Sequence, residues 1–266
     1  MKGIQYRLKL MDFIADLEES IEAIRENAPP NGEPYYGLFS GGKDSVAIKH
    51  LAHIAGISVE WHYNVTTIDP PELVRFIRNV HPDVIFNRPK HGNLFRRAAF
   101  VKGFPTRRAR WCCAEYKESK VPNGRTLLMG IRGQESPRRA STWGIVSKHF
   151  RTGLTVINPI YRWEAEDLWA WIRSEGLEYC SLYDDGFHRL GCIGCPMARE
   201  TIRRREFERW PRYEQKWKWV FEQVWKRRTG TNQRDGRRWF GDVYFKNSDE
   251  MWDWWKSDRG LPIVDQ

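Results

Sequence analysis

No apolar run in this 266-residue chain approaches the ~18 residues of a membrane span. The first sixteen residues mix Lys, Arg and Asp with apolar residues and lack the apolar stretch of a secretory leader. Internal repeats and low-complexity segments are also missing. Cysteine is scarce, with five residues in all, so a disulfide framework is not expected. These absences lead to the expectation of a cytoplasmic protein with no membrane partner, built as one large domain or one domain with an appendage. Acidic residues are absent between Asp83 and Glu115, where Arg88, Lys90, Arg96, Arg97, Lys102, Arg107, Arg108 and Arg110 fall. The net charge is +10. An excess of this size suggests polyanionic company, nucleotide or nucleic acid. A second basic zone, Arg199 to Arg238, is interleaved with Trp210, Trp217, Trp219, Trp225 and Trp239. It reads equally as a solvated face or a nucleic-acid surface. Most of the 14 tryptophans are expected to pack in cores or between helices.

What is present is an alternation of strands and helices. Ile4, Leu8, Met11, Ile14, Leu17, Ile21 and Ile24 recur at helical spacing, and Pro29-Pro30-Asn31-Gly32 ends that run. Strands are expected at 35–39, 57–63, 84–86, 126–131 and 154–158. Helices are expected from Val46, from the Pro70-Pro71-Glu72 signal, and over 163–172. The alternation predicts an α/β fold with a Rossmann-like, mostly parallel five-stranded sheet covered on both faces. From Pro196 onward the pattern turns to charged, Trp-rich helices. The expected organisation is an N-terminal helix at 1–32, a nucleotide-binding domain at 33–197 and a basic helical extension at 198–266. A ligand of such a sheet lies outside the carboxyl ends of its strands.

The most informative segment is Leu38-Phe39-Ser40-Gly41-Gly42-Lys43-Asp44-Ser45, where the first strand gives way to a glycine turn and a helix. Backbone N–H groups at a helix N-terminus, with the helix dipole behind them, form an anion cradle. Gly41 and Gly42 allow close approach of the backbone. Lys43 adds a cation, and the Ser40 and Ser45 hydroxyls add donors. The spacing is not that of a Walker A loop. The run resembles the PP-loop, Ser-Gly-Gly-x-Asp-Ser, of the adenine nucleotide α-hydrolases. That resemblance implies cleavage of ATP between its α- and β-phosphates, with pyrophosphate held at this loop.

The cysteines are Cys112, Cys113, Cys180, Cys192 and Cys195. Cys192-Ile193-Gly194-Cys195 has the spacing that turns two thiolates toward one metal. Adjacent Cys112 and Cys113 suit a larger iron–sulfur cluster better than a single tetrahedral zinc. Zinc and a redox or unpaired thiol set remain open on the residues alone. Further motifs follow. Arg110-Trp111-Cys112-Cys113 with Lys117 resembles the Cys-Cys-x-x-x-Lys segment of sulfonucleotide reductases. Leu182-Tyr183-Asp184 through Gly191-Cys192-Ile193-Gly194-Cys195-Pro196 is similar to their Leu-Tyr-Asp…Gly-Cys-x-x-Cys block. Ile160-Tyr161-Arg162-Trp163 with Asp167-Leu168-Trp169, and Gly130-Ile131-Arg132 with Ser136, Arg138 and Arg139, resemble two more of their segments. Over residues 34–197 the chain thus resembles the phosphoadenosine-phosphosulfate reductase superfamily. The resemblance implies a [4Fe–4S] cluster on Cys112, Cys113, Cys192 and Cys195, in the same domain as the PP-loop. Cys180 matches no family role and reads as a small buried residue.

Two departures shape the functional expectation. The family's C-terminal cysteine motif has no counterpart, since no cysteine follows Cys195 and the sequence ends Leu261-Pro262-Ile263-Val264-Asp265-Gln266. The phosphate loop is complete, where reductases carry a degenerate one. Both favour an ATP pyrophosphatase that activates an acceptor by adenylation for sulfur transfer, with ATP, Mg²⁺ and the cluster as cofactors. The expected catalytic residues are Lys43, Asp44, Arg132 and Lys117. Nucleotide contacts are expected from Ser40, Gly41, Gly42, Lys43, Asp44, Ser45, Tyr63, Gly130, Arg132 and Arg138. Asp44 is read near Mg²⁺, Tyr63 at the adenine, and Lys117 at the nucleotide or the cluster edge. The expected partners are tRNA, DNA or a sulfur-donor protein, with the oligomeric state open. A sulfonucleotide reductase using an external thiol, and a zinc-stabilised nucleic-acid binder, are the alternatives.

Overall fold

The computed structural model describes residues 2–118, 121–149, 152–228, 238–240 and 243–257. The chain divides into two compact units. One comprises Met1–Asn64, Pro71–Asn87 and Lys120–Leu190, and the other Val65–Pro70, Arg88–Ser119 and Gly191–Gln266.

The first unit is built on a six-stranded sheet. Its strands are β1 (Tyr35–Leu38), β2 (Val59–Asn64), β3 (Ile85–Asn87), β4 (Leu127–Leu128), β5 (Val146–Lys148) and β6 (Thr155–Ile157), in the spatial order β3-β2-β1-β4-β6-β5. Five of these are mutually parallel and correspond to the five expected strands; β5 runs antiparallel to β6 at the edge. Parallel neighbours need crossovers, and helices supply them. The helices of this unit are α1 (Lys2–Glu26), α2 (Lys43–Ala55), α3 (Pro71–Val80), α4 (Pro137–Thr142) and α5 (Ala165–Ser174). The central strand β1 is buried at Tyr35, Tyr36 and Gly37, as expected for a strand covered on both faces. Tyr36 packs with Leu127 and Val156 across three strands. Helix α1 is fastened at its end: Tyr35 Oη donates to the Ile24 carbonyl at 2.9 Å, and Trp163 Nε1 donates to Ser20 Oγ at 3.0 Å. Helix α2 stops at Gly56, whose left-handed conformation (φ 71°) closes the last turn.

The second unit is helical and aromatic. A short helix, Leu94–Arg97, opens at Asn93, whose Oδ1 accepts from Phe95 N and Arg96 N at 3.0 and 3.3 Å. It runs on into a π-helical turn, Ala98–Lys102, and a second π turn spans Cys113–Lys117. Then come α6 (Glu200–Arg209), α7 (Pro211–Arg228), a two-stranded hairpin of β7 (Arg238–Phe240) and β8 (Val243–Phe245), and α8 (Ser248–Lys256). The hairpin is an addition to the all-helical extension expected from the sequence. Residues 229–237, 241–242 and 258–266, also assigned to that extension, lie outside the described residues. The core is made of Trp217, Phe221, Trp252 and Trp255, with Phe104 stacked on Phe221 at 4.3 Å between centroids. Trp255 Nε1 donates to the Pro105 carbonyl at 2.7 Å, so this indole is buried with its polar edge satisfied. Among the described residues no helix is long and apolar enough to cross a membrane.

Candidate functional site

In the first unit the chain leaves β1 at Phe39 and turns through Ser40, Gly41 and Gly42 into α2. Gly41 has φ +73°, and a Cβ there would lie 2.7 Å from Leu73 Cδ1 and Ile77 Cδ1. Only glycine meets both demands without strain. Gly42 is the N-cap of α2 and supplies no side-chain cap, so the first turn is met by other groups of the loop and by Tyr183. Ser40 Oγ accepts from Gly42 N at 3.3 Å, and Ser45 Oγ donates back to the Gly42 carbonyl at 2.8 Å. Lys43 N donates to Tyr183 Oη at 2.9 Å. Burial holds the Tyr183 phenol well above the usual tyrosine range, so it stays protonated.

The electrostatics of this loop are unbalanced. Lys43 and Arg132 are 8% and 4% exposed, and both lean on one carboxylate. Lys43 Nζ lies 3.0 Å from Asp44 Oδ2, and Arg132 Nε lies 2.6 Å from Asp44 Oδ1. Arg132 turns its NH1 to neutral acceptors, Gln134 Oε1 at 3.0 Å and the Trp163 carbonyl at 3.3 Å. Two buried cations therefore share one anion, and the surplus positive charge favours an anionic ligand. Gly130 lies against the start of α2, where a Cβ would be 2.9 Å from the Asp44 carbonyl oxygen.

The structure thus brings Ser40, Gly41, Gly42, Lys43, Asp44, Ser45, Gly130 and Arg132 together. The remaining expected residues of this unit lie otherwise. Tyr63 is buried in β2 with its ring edge-on to Phe86. Ser136 caps α4, its Oγ accepting from Arg139 N at 3.2 Å. Arg138 is exposed, and Arg139 pairs with Glu135. Both Asp44 oxygens face cations, Lys43 Nζ and Arg132 Nε. Tyr183 was not expected at the loop. The Leu182-Tyr183-Asp184 motif was its only sequence signal, because its bond to Lys43 spans 140 residues.

In the second unit Cys112, Cys113, Cys192 and Cys195 line one pocket together with Thr66, Lys117 and Trp217. The Cys192–Cys195 turn requires Gly194 (φ +71°), whose N–H donates to Glu206 Oε2 at 2.7 Å. A Cβ there would meet Trp217 Nε1 at 2.7 Å. The chain beyond the turn is held by Arg203, 1% exposed, which donates to the Pro196, Ala198 and Lys256 carbonyls. A hydrogen bond from Cys112, with help from Lys117 and Arg110, holds the Cys113 thiol down to about 5, while the same pairing pushes Cys112 up. Burial raises Cys192 to about 11, opposed by Lys117. Lys117 keeps solvent access, and the Cys192 thiolate, with Cys195, Asp69 and Cys113, raises its pKa. Among the described residues no three His, Cys, Asp or Glu side chains converge as the ligands of a single ion do. Cys180 belongs to the first unit and is buried at 1% exposure.

Comparison with known proteins bears on the fold and the family. An uncharacterised protein of Methanocaldococcus jannaschii is 26% identical over 229 residues, which cover 79% of this chain and 55% of the relative. The chain spans about half the length of the curated relatives it matches first. Phosphoadenylyl-sulfate reductase from Candida auris superposes with a TM-score of 0.51 at 18% identity, covering 66% of this chain and 89% of that one. The FMN adenylyltransferase of Candida glabrata, bound to FAD and inorganic pyrophosphate, gives 0.50 at 14% identity, covering 69% and 64%. At these identities the two structures establish the fold, a Rossmann-like α/β sheet. Residues 35–198, well over half of the chain, match the phosphoadenosine phosphosulfate reductase domain, and the protein belongs to that family.

Proposed function

We propose that the chain binds ATP at Ser40–Ser45 and cleaves it to AMP and pyrophosphate, adenylating an acceptor ahead of sulfur transfer. The observation that carries this reading is the buried pair Lys43 and Arg132 sharing the single carboxylate of Asp44 at the N-terminus of α2. A polyphosphate supplies the missing negative charge. In the reaction an acceptor oxygen bonds to the α-phosphorus and the bond to the β-bridging oxygen breaks, its electron pair leaving with pyrophosphate. Lys43, Arg132 and the loop N–H groups stabilise charge on that leaving group. A hydrosulfide-level donor then displaces AMP, so that sulfur replaces the acceptor oxygen. Mg²⁺ enters this scheme as a companion of the triphosphate and has no assigned protein ligand. Nucleic acid, tRNA or DNA, is the acceptor class the charge favours, with a sulfur-donor protein as second partner.

Cys112, Cys113, Cys192 and Cys195 are assigned to a [4Fe–4S] cluster, which supplies a reducible centre when bound. Its four-thiol cavity supports the assignment. Protein purified without oxygen is expected to carry about four irons per chain, and Cys192→Ser to lose them. Stoichiometric zinc from iron-replete cells would remove the cluster from the account.

Family membership and the likeness to a sulfonucleotide reductase favour a second reading, reduction of adenylyl sulfate or its 3′-phosphorylated form with an external thiol. The completeness of the loop ranks it second. Lys43→Ala tests the primary reading: calorimetric titration should show ATP affinity falling at least tenfold with the fold intact. Unchanged affinity would place the phosphates elsewhere.

A further inference from the structure

The net charge of the chain is concentrated in one unit. The first unit holds 18 Lys and Arg against 19 Asp and Glu, whereas the second holds 26 against 15. A surplus of this kind on a helical unit is a surface property until something on it selects a ligand. The π-helical turn Ala98–Lys102 supplies that selection. It pushes Phe100 and Val101 outward, 48% and 56% exposed, in a unit whose other aromatics are largely buried. A π turn inserts a residue into the helical repeat and re-aims side chains, and such turns recur at functional sites.

Phe100 rests edge-on against Trp219 of α7, 5.6 Å between centroids at 75°. Trp219 is half-buried, so the pair is anchored on one side and open on the other. Cations flank it. Arg212, Lys216 and Trp219 recur at positions i, i+4 and i+7 along one stripe of α7. Lys216 Nζ lies 5.7 Å from the Phe95 ring and 5.8 Å from the Tyr213 ring. Arg96 is exposed on the preceding helical turn. Among the described residues no carboxylate pairs with Arg96, Arg212 or Lys216, so these charges are available to a polyanion.

An exposed aromatic ring edged by unpaired cations suits an unpaired base and its phosphates. A ring face stacks on any base, and guanidinium and ammonium groups follow the backbone. A duplex offers phosphates but keeps its base faces stacked inside. We infer that Phe100 and Trp219, with Arg96, Arg212 and Lys216, form a docking platform for single-stranded nucleic acid, such as an unpaired loop of RNA. This deepens the proposed function by locating where its acceptor docks, and it rests on that reading only for the acceptor role.

The test is fluorescence anisotropy of the full chain, without ATP, against a labelled single-stranded RNA and the matching duplex. Binding should favour the single strand, and its affinity should fall linearly on a log–log salt plot. Phe100→Ala is expected to weaken single-strand binding by about fivefold to a hundredfold, and Phe100→Trp to restore it. Lys216→Glu should weaken binding and flatten the salt dependence. Equal binding by Phe100→Ala and the parent, or equal or tighter binding of the duplex, would overturn the platform. So would concentration-dependent self-association in sedimentation that Phe100→Ala abolishes, since the patch would then be a contact between copies. Because no ATP is present, failure here is distinct from failure of ATP cleavage.

Discussion

Each of the two units buries an arginine, and the two are satisfied in different ways. Arg132 in the first unit answers to a carboxylate that it shares with Lys43. Arg203 in the second answers to the backbone carbonyls of Pro196, Ala198 and Lys256. The carbonyl bonds of Arg203 act as a staple, tying the chain after Cys195 to the end of α8. A guanidinium and an ammonium competing for one carboxylate leave positive charge unanswered, and the proposed phosphate site rests on that surplus. Buried charge alone does not separate structure from function; the balance of partners around it does.

The largest effect should come from breaking the staple. Arg203→Met strands its carbonyls at about 1–3 kcal/mol each, so thermal unfolding should move down by several degrees or more. Iron content should fall with it, because the turn after Cys195 loosens. Arg132→Met should cost less, about 3 kcal/mol, the low end for a broken buried pair, since Lys43 remains on Asp44. It should leave iron content unchanged and abolish AMP formation. If both variants lost iron equally, the contrast between staple and site would fail. Gly41→Ala sharpens the contrast from the backbone side. A left-handed alanine pressed on Leu73 and Ile77 costs about 1–3 kcal/mol, and ATP affinity should drop further than stability.

How much of this could be read in the sequence follows the range of each interaction. The loop from Ser40 to Ser45 was legible because its parts are adjacent: a buried strand, two glycines and a helix start within eight residues. The five parallel strands were legible as apolar runs. Strand β5 was not, because Val146-Ser147-Lys148 is three residues with an exposed valine and lysine. The π turns at 98–102 and 113–117 follow neither the helical nor the strand period, so no pattern announced them. Residues fixed by distant partners escaped as well. Tyr183 meets Lys43 across 140 residues, and the double engagement of Asp44 needed Arg132, 88 residues on.

The smallest effect lies away from both sites. His81 stands 3.3 Å from Lys49, and burial, with the Lys49 charge, lowers its pKa from 6.5 to about 4. The unfolded chain therefore binds the extra proton between those values. Stability from the neutral ring is complete above pH 6.5 and is lost as pH falls toward 4. His81→Gln should flatten the acid limb of a pH–stability curve and leave the region above pH 7 unchanged; an unaltered limb would remove His81 from that account.

The central claim is that the loop of the first unit handles a polyphosphate. Its most direct measurement is product analysis of the full chain under anaerobic conditions, with ATP in one reaction and with adenylyl sulfate or its 3′-phosphorylated form plus thiol in the others. The account predicts AMP and pyrophosphate from ATP, faster when single-stranded RNA and sulfide are added, and no sulfite from either sulfonucleotide. Thiol-dependent sulfite release with no cleavage of ATP under any condition would contradict it.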